Sequence, residues 1–376
     1  MQAIWKRKWV WMPTLILLGL AGFAWSQRRD LLACYYVRQL TYAYQDNREG
    51  WVNRVVELDE AALPRLYDGL LSTDAIVCSN MQAALGGLGK KWGAADPRTQ
   101  QMMNDLYSRF DQLSGPGQQK TLLLLAMLLR QDGSKPLAPT LARGIGETLL
   151  VAEKENALRS AALLVAAELV DCVQPGQWVD ACRELAERGL HDPLIGVRIA
   201  TIQLVMRAPM RKDKELLAKV IPLLHDKEAS VRRVALLALA SETDLVREEG
   251  LMALLLDDDA QVQYLCEQAL RSRGLTDDDI RVARMISDKN PAVRMRVLQH
   301  LPTMHDPNLA EWLRQLSQDP APAVRAAAAR AAGECMAVDL SARLREMADS
   351  DPSETVRMNA SFYLQHRLTM RAMNDR

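Results

Sequence analysis

The chain has 376 residues, with 47 basic and 47 acidic side chains and therefore no formal net charge. This balance excludes a broad positive field of the kind that attracts nucleic-acid backbones. Apolar residues make up 49% of the chain and charged residues 25%, which excludes a multi-span membrane protein and a disordered chain. Because aromatic residues are only 5%, the composition favours close helix packing over β-sheets.

The N-terminus has the features of a membrane segment. A basic tail, residues 1–8, carries Lys6, Arg7 and Lys8 and precedes an uncharged stretch over residues 9–27. As a helix this stretch would be about 28 Å long, close to the thickness of the hydrocarbon core of a bilayer. Tryptophans lie near both of its ends, and Trp favours the headgroup layers. We predict a transmembrane signal-anchor helix over residues 9–27.

Two alternatives remain open for this segment. Gly22-Phe23-Ala24 would serve as a weak cleavage site of a signal peptide, and a buried helix of a soluble protein would have the same hydropathy. For the anchor, the three basic residues before the stretch outweigh Arg28 and Arg29 after it. This charge bias places the N-terminus in the cytoplasm and the rest of the chain outside it, on the periplasmic side of a bacterial membrane.

Residues 28–60 are expected to form a juxtamembrane helix and a cap, and residues 61–376 an array of helical repeats. The upstream part of the array is degenerate. One helical pair is predicted over residues 61–85, and second helices of later pairs over 119–129 and 157–170. The sequence Gly86-Gly-Leu-Gly89-Lys90-Lys91 lacks the first Gly and the Ser or Thr of a phosphate-binding loop. We interpret it as a short flexible link between repeats.

A repeated pattern is the strongest signal in the chain. Six segments begin with Asp and carry a Val five positions later, usually followed by Arg. The valines are Val197, Val231, Val262, Val293, Val324 and Val356, with spacings of 34, 31, 31, 31 and 32 residues. A fixed period of this length is typical of a solenoid built from helical hairpins.

Each repeat reads as two helices joined by a tight turn. Asp and Pro in the turn favour a helix start, and apolar residues after Val231 recur at helical spacing. Another amphipathic stretch precedes each turn, as over residues 215–224. We call the first helix of each pair helix A and the second, which carries Val-Arg, helix B. Such a hairpin cannot bury its apolar faces alone and must stack on its neighbours.

The Asp-Pro-x-x-x-Val-Arg-x-x-Ala pattern resembles the HEAT repeat family, in particular the short HEAT-like repeats also seen in bilin lyases. The resemblance is strongest over residues 180–376. It implies an all-α fold, a right-handed α-solenoid of about nine helical hairpins, following the single N-terminal transmembrane helix. It also implies a ladder in which the helix-B Arg bonds to a turn Asp of the same or a neighbouring repeat. The ladder residues would be Asp192, Arg198, Asp226, Arg232, Asp288, Arg294, Asp319, Arg325, Asp351 and Arg357. Gln263 replaces the Arg in one repeat, which predicts an interruption there.

The residues that suggest metal or catalytic chemistry have simpler explanations. His191, His225 and His305 each precede an Asp, and we expect exposed turn histidines. Thr276 followed by three aspartates favours a helix N-terminus over a calcium site. No recognisable catalytic motif is present, and no cofactor is predicted.

Six cysteines are scattered along the chain, and none forms a Cys-x-x-Cys pair. Small buried side chains are the default expectation. Cys172 and Cys182 flank one short connection, and a bond between them remains open if the compartment is oxidising.

Helix B also predicts where a partner binds. Positions two and six after each Val point away from the core at 100° per residue. They hold no acid and no Lys, which is typical of interfaces; alternatively, they pack against the next repeat. The candidates are Ile199, Gln203, Arg233, Leu237, Tyr264, Gln268, Met295, Gln299, Arg330, Met358 and Phe362.

Two function classes follow. The first is a non-enzymatic scaffold that presents a concave helix-B surface to a protein partner at the membrane; nucleic acid is not expected. The second is an enzyme or enzyme subunit of the HEAT-like lyase type, acting on a bound prosthetic group or a protein substrate. An open, continuous groove favours the scaffold, and a deep pocket with convergent polar groups favours the enzyme.

Overall fold

The computed structural model describes residues 28–130, 137–173, 178–301 and 308–374. The predicted transmembrane segment, residues 9–27, lies outside them. The structure is 78% helix, with 21 helices and no strand among the described residues, so the all-α prediction is confirmed and the helical content is consistent with an α-solenoid. None of the described helices is both long enough and apolar enough to cross a bilayer.

The chain forms two compact units, Met1–Lys219 and Val220–Arg376. The helices of the first unit are α1 (Arg28–Thr41), α2 (Gln45–Glu57), α3 (Leu63–Gly69), α4 (Ala75–Trp92), α5 (Pro97–Ser108), α6 (Gly115–Arg130), α7 (Pro139–Ala152), α8 (Asn156–Cys172), α9 (Val179–Gly189), α10 (Ile195–Val205), α11 (Ala208–Arg211) and α12 (Lys214–Ala218). Short 3-10 turns at Asp59–Ala62 and Phe110–Gln112 precede α3 and α6.

The second unit begins with a 3-10 turn, Ile221–His225, and has a second one at Ala253–Leu256. Its helices are α13 (Ala229–Leu239), α14 (Glu248–Met252), α15 (Ala260–Ser272), α16 (Asp277–Ile286), α17 (Pro291–His300), α18 (Leu309–Leu316), α19 (Pro322–Glu334), α20 (Ser341–Ser350) and α21 (Glu354–Asn374).

The first unit is a row of helix-B elements that pack on one another in chain order. Helices α2, α4, α6, α8 and α10 each contact the next, and α3, α5, α7 and α9 provide the paired helix A. The facing sides are apolar, with Leu85 on α4, Leu125 on α6 and Val165 on α8 fully buried. Each pair therefore buries its apolar face only by stacking, as the repeat pattern predicts.

The interpretation of Gly86–Lys91 as a flexible link is wrong, because these residues lie inside helix α4. The glycines are needed for close packing rather than for flexibility. A Cβ atom on Gly86 would lie 2.7 Å from the Met127 side chain, and one on Gly89 would lie 2.3 Å from Leu128. Both contacts are on α6, so the small residues bring the two helices together.

The second unit repeats the same arrangement. Its helix-B elements are α13, α15, α17, α19 and α21, of which α13 packs on α15, α17 on α19, and α19 on α21. Gly333 on α19 permits a close approach of α21, since a Cβ atom there would lie 2.5 Å from the Cβ atom of Tyr363. The described residues contain four A/B pairs after α2 in the first unit and four in the second, where α13 packs in addition on the 3-10 turn Ile221–His225.

The structure answers two local questions, whether a helix begins at Thr276 and whether Cys172 and Cys182 are joined. Thr276 and Asp279 form a reciprocal capping box at the start of α16, so the predicted helix N-terminus is confirmed. Cys172 and Cys182 are both buried, and no disulfide joins them. Burial raises the pKa of the Cys182 thiol to about 12, which keeps it protonated and unreactive at neutral pH.

Candidate functional site

The turn aspartates hold the connection between helix A and helix B. Each accepts a hydrogen bond from the backbone N–H two residues further on, before helix B begins. The N–H donors are those of Leu194, Glu228, Asp259, Asn290, Ala321 and Ser353, at 2.7–2.9 Å. The side chain therefore fixes an Asx turn that sets the entry of helix B.

The Arg that follows each Val folds back onto the same turn. Its Nη1 donates to the backbone carbonyl of the Asp six residues earlier. The distances are 2.9 Å for Arg198, 2.8 Å for Arg232, 2.5 Å for Arg294, 2.8 Å for Arg325 and 2.7 Å for Arg357. The guanidinium is thereby held at the turn and oriented by it.

In the second unit the same guanidinium groups reach the following repeat. Arg232 donates to Asp257 at 2.8 and 2.7 Å, Arg294 to Asp319 at 2.6 and 2.8 Å, and Arg325 to Asp351 at 2.8 and 2.9 Å. Each contact is bidentate and almost buried. We call these three contacts the ladder rungs. Charge-assisted, bidentate bonds of this kind are the strong class of hydrogen bond.

Gln263 keeps half of this arrangement. Its amide Nε2 donates to the carbonyl of Asp257 at 2.6 Å, in place of the Arg Nη1. An amide has no further fork of donors for the next turn, where Asp288 accepts the N–H of Asn290 at 2.7 Å. Gln263 therefore replaces the bond that the Arg makes within its own repeat, but it does not replace the rung to the next repeat.

A further contact of this kind lies in the first unit and was not predicted from the sequence. Arg159 donates from Nε to the carbonyl of Glu153 at 3.0 Å and from Nη1 to the carboxylate of Asp192. This reproduces the pattern of the second unit. Glu153 and Leu158 stand where the later repeats have Asp and Val, which hid the match. The available signal was an Arg six residues after an acidic turn residue.

A second set of arginines, also not predicted, caps helix C-termini. Arg273 donates to the carbonyls of Leu239, Ala240 and Val246 at 3.0, 2.8 and 2.6 Å. Arg367 donates to those of Ala332 and Cys335, both at 2.7 Å, and to that of Val338. Both side chains are nearly fully buried, and both lie eleven residues after the repeat Val. They satisfy carbonyls at the end of the preceding helix B and in the connection that follows it.

The predicted partner residues divide into two groups by exposure. Ile199, Arg233 and Met295 are half-buried. The exposed members are Gln203, Leu237, Tyr264, Gln268, Gln299, Arg330, Met358 and Phe362. The four apolar members of this second group each expose more than half of their surface, although large apolar side chains are mostly buried in folded proteins.

A groove of about 550 Å³ lies between α17 and α19, within the second unit. It is lined by Met295, Leu298, Gln299, Ala327, Arg330, Ala331 and Glu334. Three of the predicted partner residues, Met295, Gln299 and Arg330, are thus brought to one place. The Nε of Arg330 pairs with Glu334 at 2.9 Å, and this pairing raises the pKa of the guanidinium.

A smaller cavity of about 200 Å³ lies in the first unit, between α8 and α9. Its charged groups pair with one another: Arg159 with Asp192, and Arg188 with Glu153 at 3.6 Å. The remaining lining residues include Leu163 and Leu185. These pairings give the cavity a structural role at the turn.

The histidines behave as predicted where the structure describes them. His191 and His225 are exposed in their turns, whereas His305 and Asp306 lie outside the described residues. Throughout the described ranges, no three His, Cys, Asp or Glu side chains are grouped in a way that would hold a metal ion.

Comparison with known families gave a match within the second unit. Residues 279–365 match the family model of HEAT repeats, which supports the HEAT repeat family for this chain. The matched segment contains two of the ladder rungs, Arg294–Asp319 and Arg325–Asp351, and the whole of the groove. The comparison with curated proteins gave no match.

Proposed function

We propose that the chain is a non-enzymatic HEAT-repeat scaffold that binds a protein partner through its helix-B surface at a membrane. In this proposal about nine hairpins form a right-handed solenoid, whose exposed helix-B side chains make the contact. The observation that carries it is the groove between α17 and α19. There Met295, Gln299 and Arg330, selected from the repeat register alone, lie together with apolar side chains.

The chemistry of the groove suits a protein side chain better than a small polar substrate. Met295, Leu298, Ala327 and Ala331 supply apolar surface, and the polar groups are Gln299 on α17 and Arg330 and Glu334 on α19. Met fills irregular spaces and adapts to different contacts. An apolar anchor residue of a partner, inserted between two helices, is the contact that such surfaces favour.

Arg330 adds specificity to this contact. Its Nε–H donates a hydrogen bond to Glu334, and a guanidinium has four further N–H donors. Its side chain is 64% exposed, so a carboxylate of the partner has direct access. The ladder arginines, in contrast, are nearly buried in their rungs and are not offered to a partner.

The same surface extends along the second unit. Leu237 on α13, Tyr264 on α15, and Met358 and Phe362 on α21 are all exposed at the predicted positions. Tyr and Met are enriched at protein interfaces, and contiguous exposed apolar surface marks interaction sites. The lyase-type alternative rests on the resemblance of the repeats alone. The charged residues of the groove, Arg330 and Glu334, form an ion pair with each other, and no nucleophile lies beside a base among the groove residues.

The membrane attachment is part of the proposal and rests on the sequence. The uncharged run over residues 9–27, with basic residues before and after it, has the length of a single span. We place both units on the extracytoplasmic side because of the charge bias at the two ends of this run.

The test is site-specific photo-cross-linking in native membranes. A photoreactive amino acid at Gln299, in the groove, should attach one defined protein, identified by mass spectrometry. Gln318 is also exposed, two residues after helix α18, and the same probe there provides the matched control. The adduct at Gln299 should disappear with Arg330→Glu. Equal labelling from Gln318, or an adduct unaffected by Arg330→Glu, would count against the groove as the binding site.

A further inference from the structure

Helix α1 has two apolar faces, of which only one is covered. The buried face consists of Ala33, Val37 and Leu40. On the other side Leu31 is 62% exposed and Tyr35 is 53% exposed, and Tyr42, directly after the helix, is 72% exposed. An ordinary surface helix would present polar side chains there.

The exposed residues form a continuous line. Leu31, Tyr35, Arg38 and Tyr42 are separated by four, three and four residues, which at 100° per residue places them within about 60° of one another. Arg38 is exposed as well. We call these four residues the α1 stripe; it runs along the whole length of the helix, opposite its buried face.

Contacts with α2 hold one end of the stripe in place. The ring of Tyr35 lies 6.3 Å from that of Trp51, edge to face, and Tyr36 lies 6.2 Å from the same ring. Arg54 covers Trp51 at 4.6 Å from the ring centroid. Aromatic and cation–π contacts of this kind orient the rings. The exposure of Tyr35 is therefore a fixed feature of this helix pair.

The position of α1 in the chain identifies what covers the stripe. The uncharged run over residues 9–27 ends immediately before Arg28, the first residue of the helix. If that run enters a bilayer, α1 begins within one residue of the membrane surface. Tyr, Leu and Arg are the residues that suit this layer, because their apolar parts enter it while the hydroxyl or guanidinium stays in water.

We infer that the α1 stripe lies on the headgroup layer of the lipid bilayer, with the helix axis along the membrane surface. Arg28, about 50° from the middle of the stripe at 100° per residue, then faces the lipid phosphates, as in other interfacial helices. The inference rests on the proposed membrane attachment and adds a second, lateral contact to it. Such a contact fixes the orientation of the first unit relative to the membrane.

The test measures the depth of a label at Tyr42. Helix α1 is about 21 Å long, so a helix standing away from the membrane would carry Tyr42 into water, whereas a helix lying on it would not. Full-length chain with Cys34→Ser, which removes the exposed one of the six thiols, carries a nitroxide at Tyr42→Cys. The chain is reconstituted in vesicles of phosphatidylcholine and phosphatidylglycerol. Collision rates are measured with oxygen, which concentrates in lipid, and with a water-soluble nickel chelate. Gln100→Cys, at an exposed position of α5, is the matched control.

The label at Tyr42 should show a severalfold higher ratio of oxygen to nickel collisions than the label at Gln100. Equal ratios in a chain that floats with the vesicles overturn the lateral contact and leave the attachment standing. Low collision rates with both reagents also overturn it, since they indicate that protein, such as a second copy, covers the stripe. A chain that fails to float with the vesicles overturns the attachment and the contact together.

Discussion

Arg294 joins two successive repeats by donating from Nε and Nη2 to both carboxylate oxygens of Asp319, at 2.6 and 2.8 Å. The same guanidinium donates from Nη1 to the carbonyl of Asp288 in its own turn at 2.5 Å. Three donors of one side chain thus tie one turn to the next. The Arg side chain is 10% exposed and the Asp side chain 5%, so water does not compete for these bonds.

Arg294→Ala should destabilise the second unit by about 1.5–3 kcal/mol, because it removes a partly buried charge-assisted pair and leaves Asp319 without its cation. Arg314→Ala is the control. Its side chain is 47% exposed and pairs with Glu311 on the same helix, a contact worth about 0.5 kcal/mol or less. Thermal and urea unfolding followed by circular dichroism measure both. Equal destabilisation by the two variants would show that the rung contributes no more to the free energy of unfolding than an exposed ion pair.

The Arg325–Asp351 rung should make stability depend on pH in the acid range. The hydrogen bond from Arg325 holds the pKa of Asp351 below its ordinary value of 3.8, against the opposing effect of burial. A lowered folded-state pKa gives stability that is present above the unfolded value and is lost as pH falls through the folded value. Asp351→Asn should therefore be less stable than the parent at pH 7, and the difference should shrink below pH 3.8.

Urea unfolding of both proteins at a series of pH values tests this dependence. Asp349→Asn, at an exposed position two residues earlier, controls for the loss of one carboxylate. A stability difference for Asp351→Asn that stays constant from pH 7 to acid would mean that the rung does not depend on the charge of the carboxylate.

The interruption at Gln263 should be repairable. Gln263→Arg retains a donor for the carbonyl of Asp257 and adds a fork directed to the next turn, where Asp288 occupies the position of the aspartates in the other rungs. We expect a gain of about 1 kcal/mol in unfolding free energy. Gln263→Lys, which adds the charge without the fork, should give less. A loss of stability with Arg would show that the turn at Asp288 is not positioned to accept it.

The predicted interaction surface extends beyond the groove, and two of its residues test this. Arg233→Glu combined with Tyr264→Ala should abolish co-purification of the partner and leave the circular dichroism and melting temperature unchanged. Tyr264 is 54% exposed. Arg233 makes two long contacts, a bond of 3.4 Å to the carbonyl of Ala229 and an ion pair of 3.9 Å with Asp259. Arg281→Glu, exposed on helix A, should have no effect on co-purification. Unfolding of the double variant would instead assign these residues to the core.

We predict the membrane topology from the charges at the two ends of the uncharged run. Protease added to intact spheroplasts of a bacterial host should digest both units and leave a protected N-terminal fragment. A cytoplasmic marker protein in the same cells must remain intact. If both units survive until the cells are lysed, the orientation is reversed.

The turns and the start of each helix B could be predicted from the sequence, because the residues that form them lie within seven positions of one another. Asp, Val and Arg within seven residues at a fixed period specify one turn, its helix start and the donor that folds back on it. The rung to the next repeat came from the family resemblance, not from spacing. Arg159 was missed because Glu153 and Leu158 preserve the geometry but not the residue types.

Contacts between neighbouring helices could not be read in this way. Arg273 and Arg367 bind backbone carbonyls about thirty residues away, and a carbonyl leaves no mark in a sequence. Gly86 and Gly89 suggested flexibility, yet the side chains of Met127 and Leu128 on α6 fill the space beside them. The groove between α17 and α19 likewise depends on the distance between two helices. The sequence indicated only three of the side chains that line it, Met295, Gln299 and Arg330.

The Arg294–Asp319 rung also spans the two helices that form the walls of the groove, since Arg294 lies on α17 and Asp319 precedes α19. The rung joins the two walls at a point outside the lining of the groove, so it restrains their separation. Weakening the bond would therefore let the walls separate. Because each repeat of a solenoid contacts only its neighbours, mechanical load along the second unit would open the groove where the rung breaks.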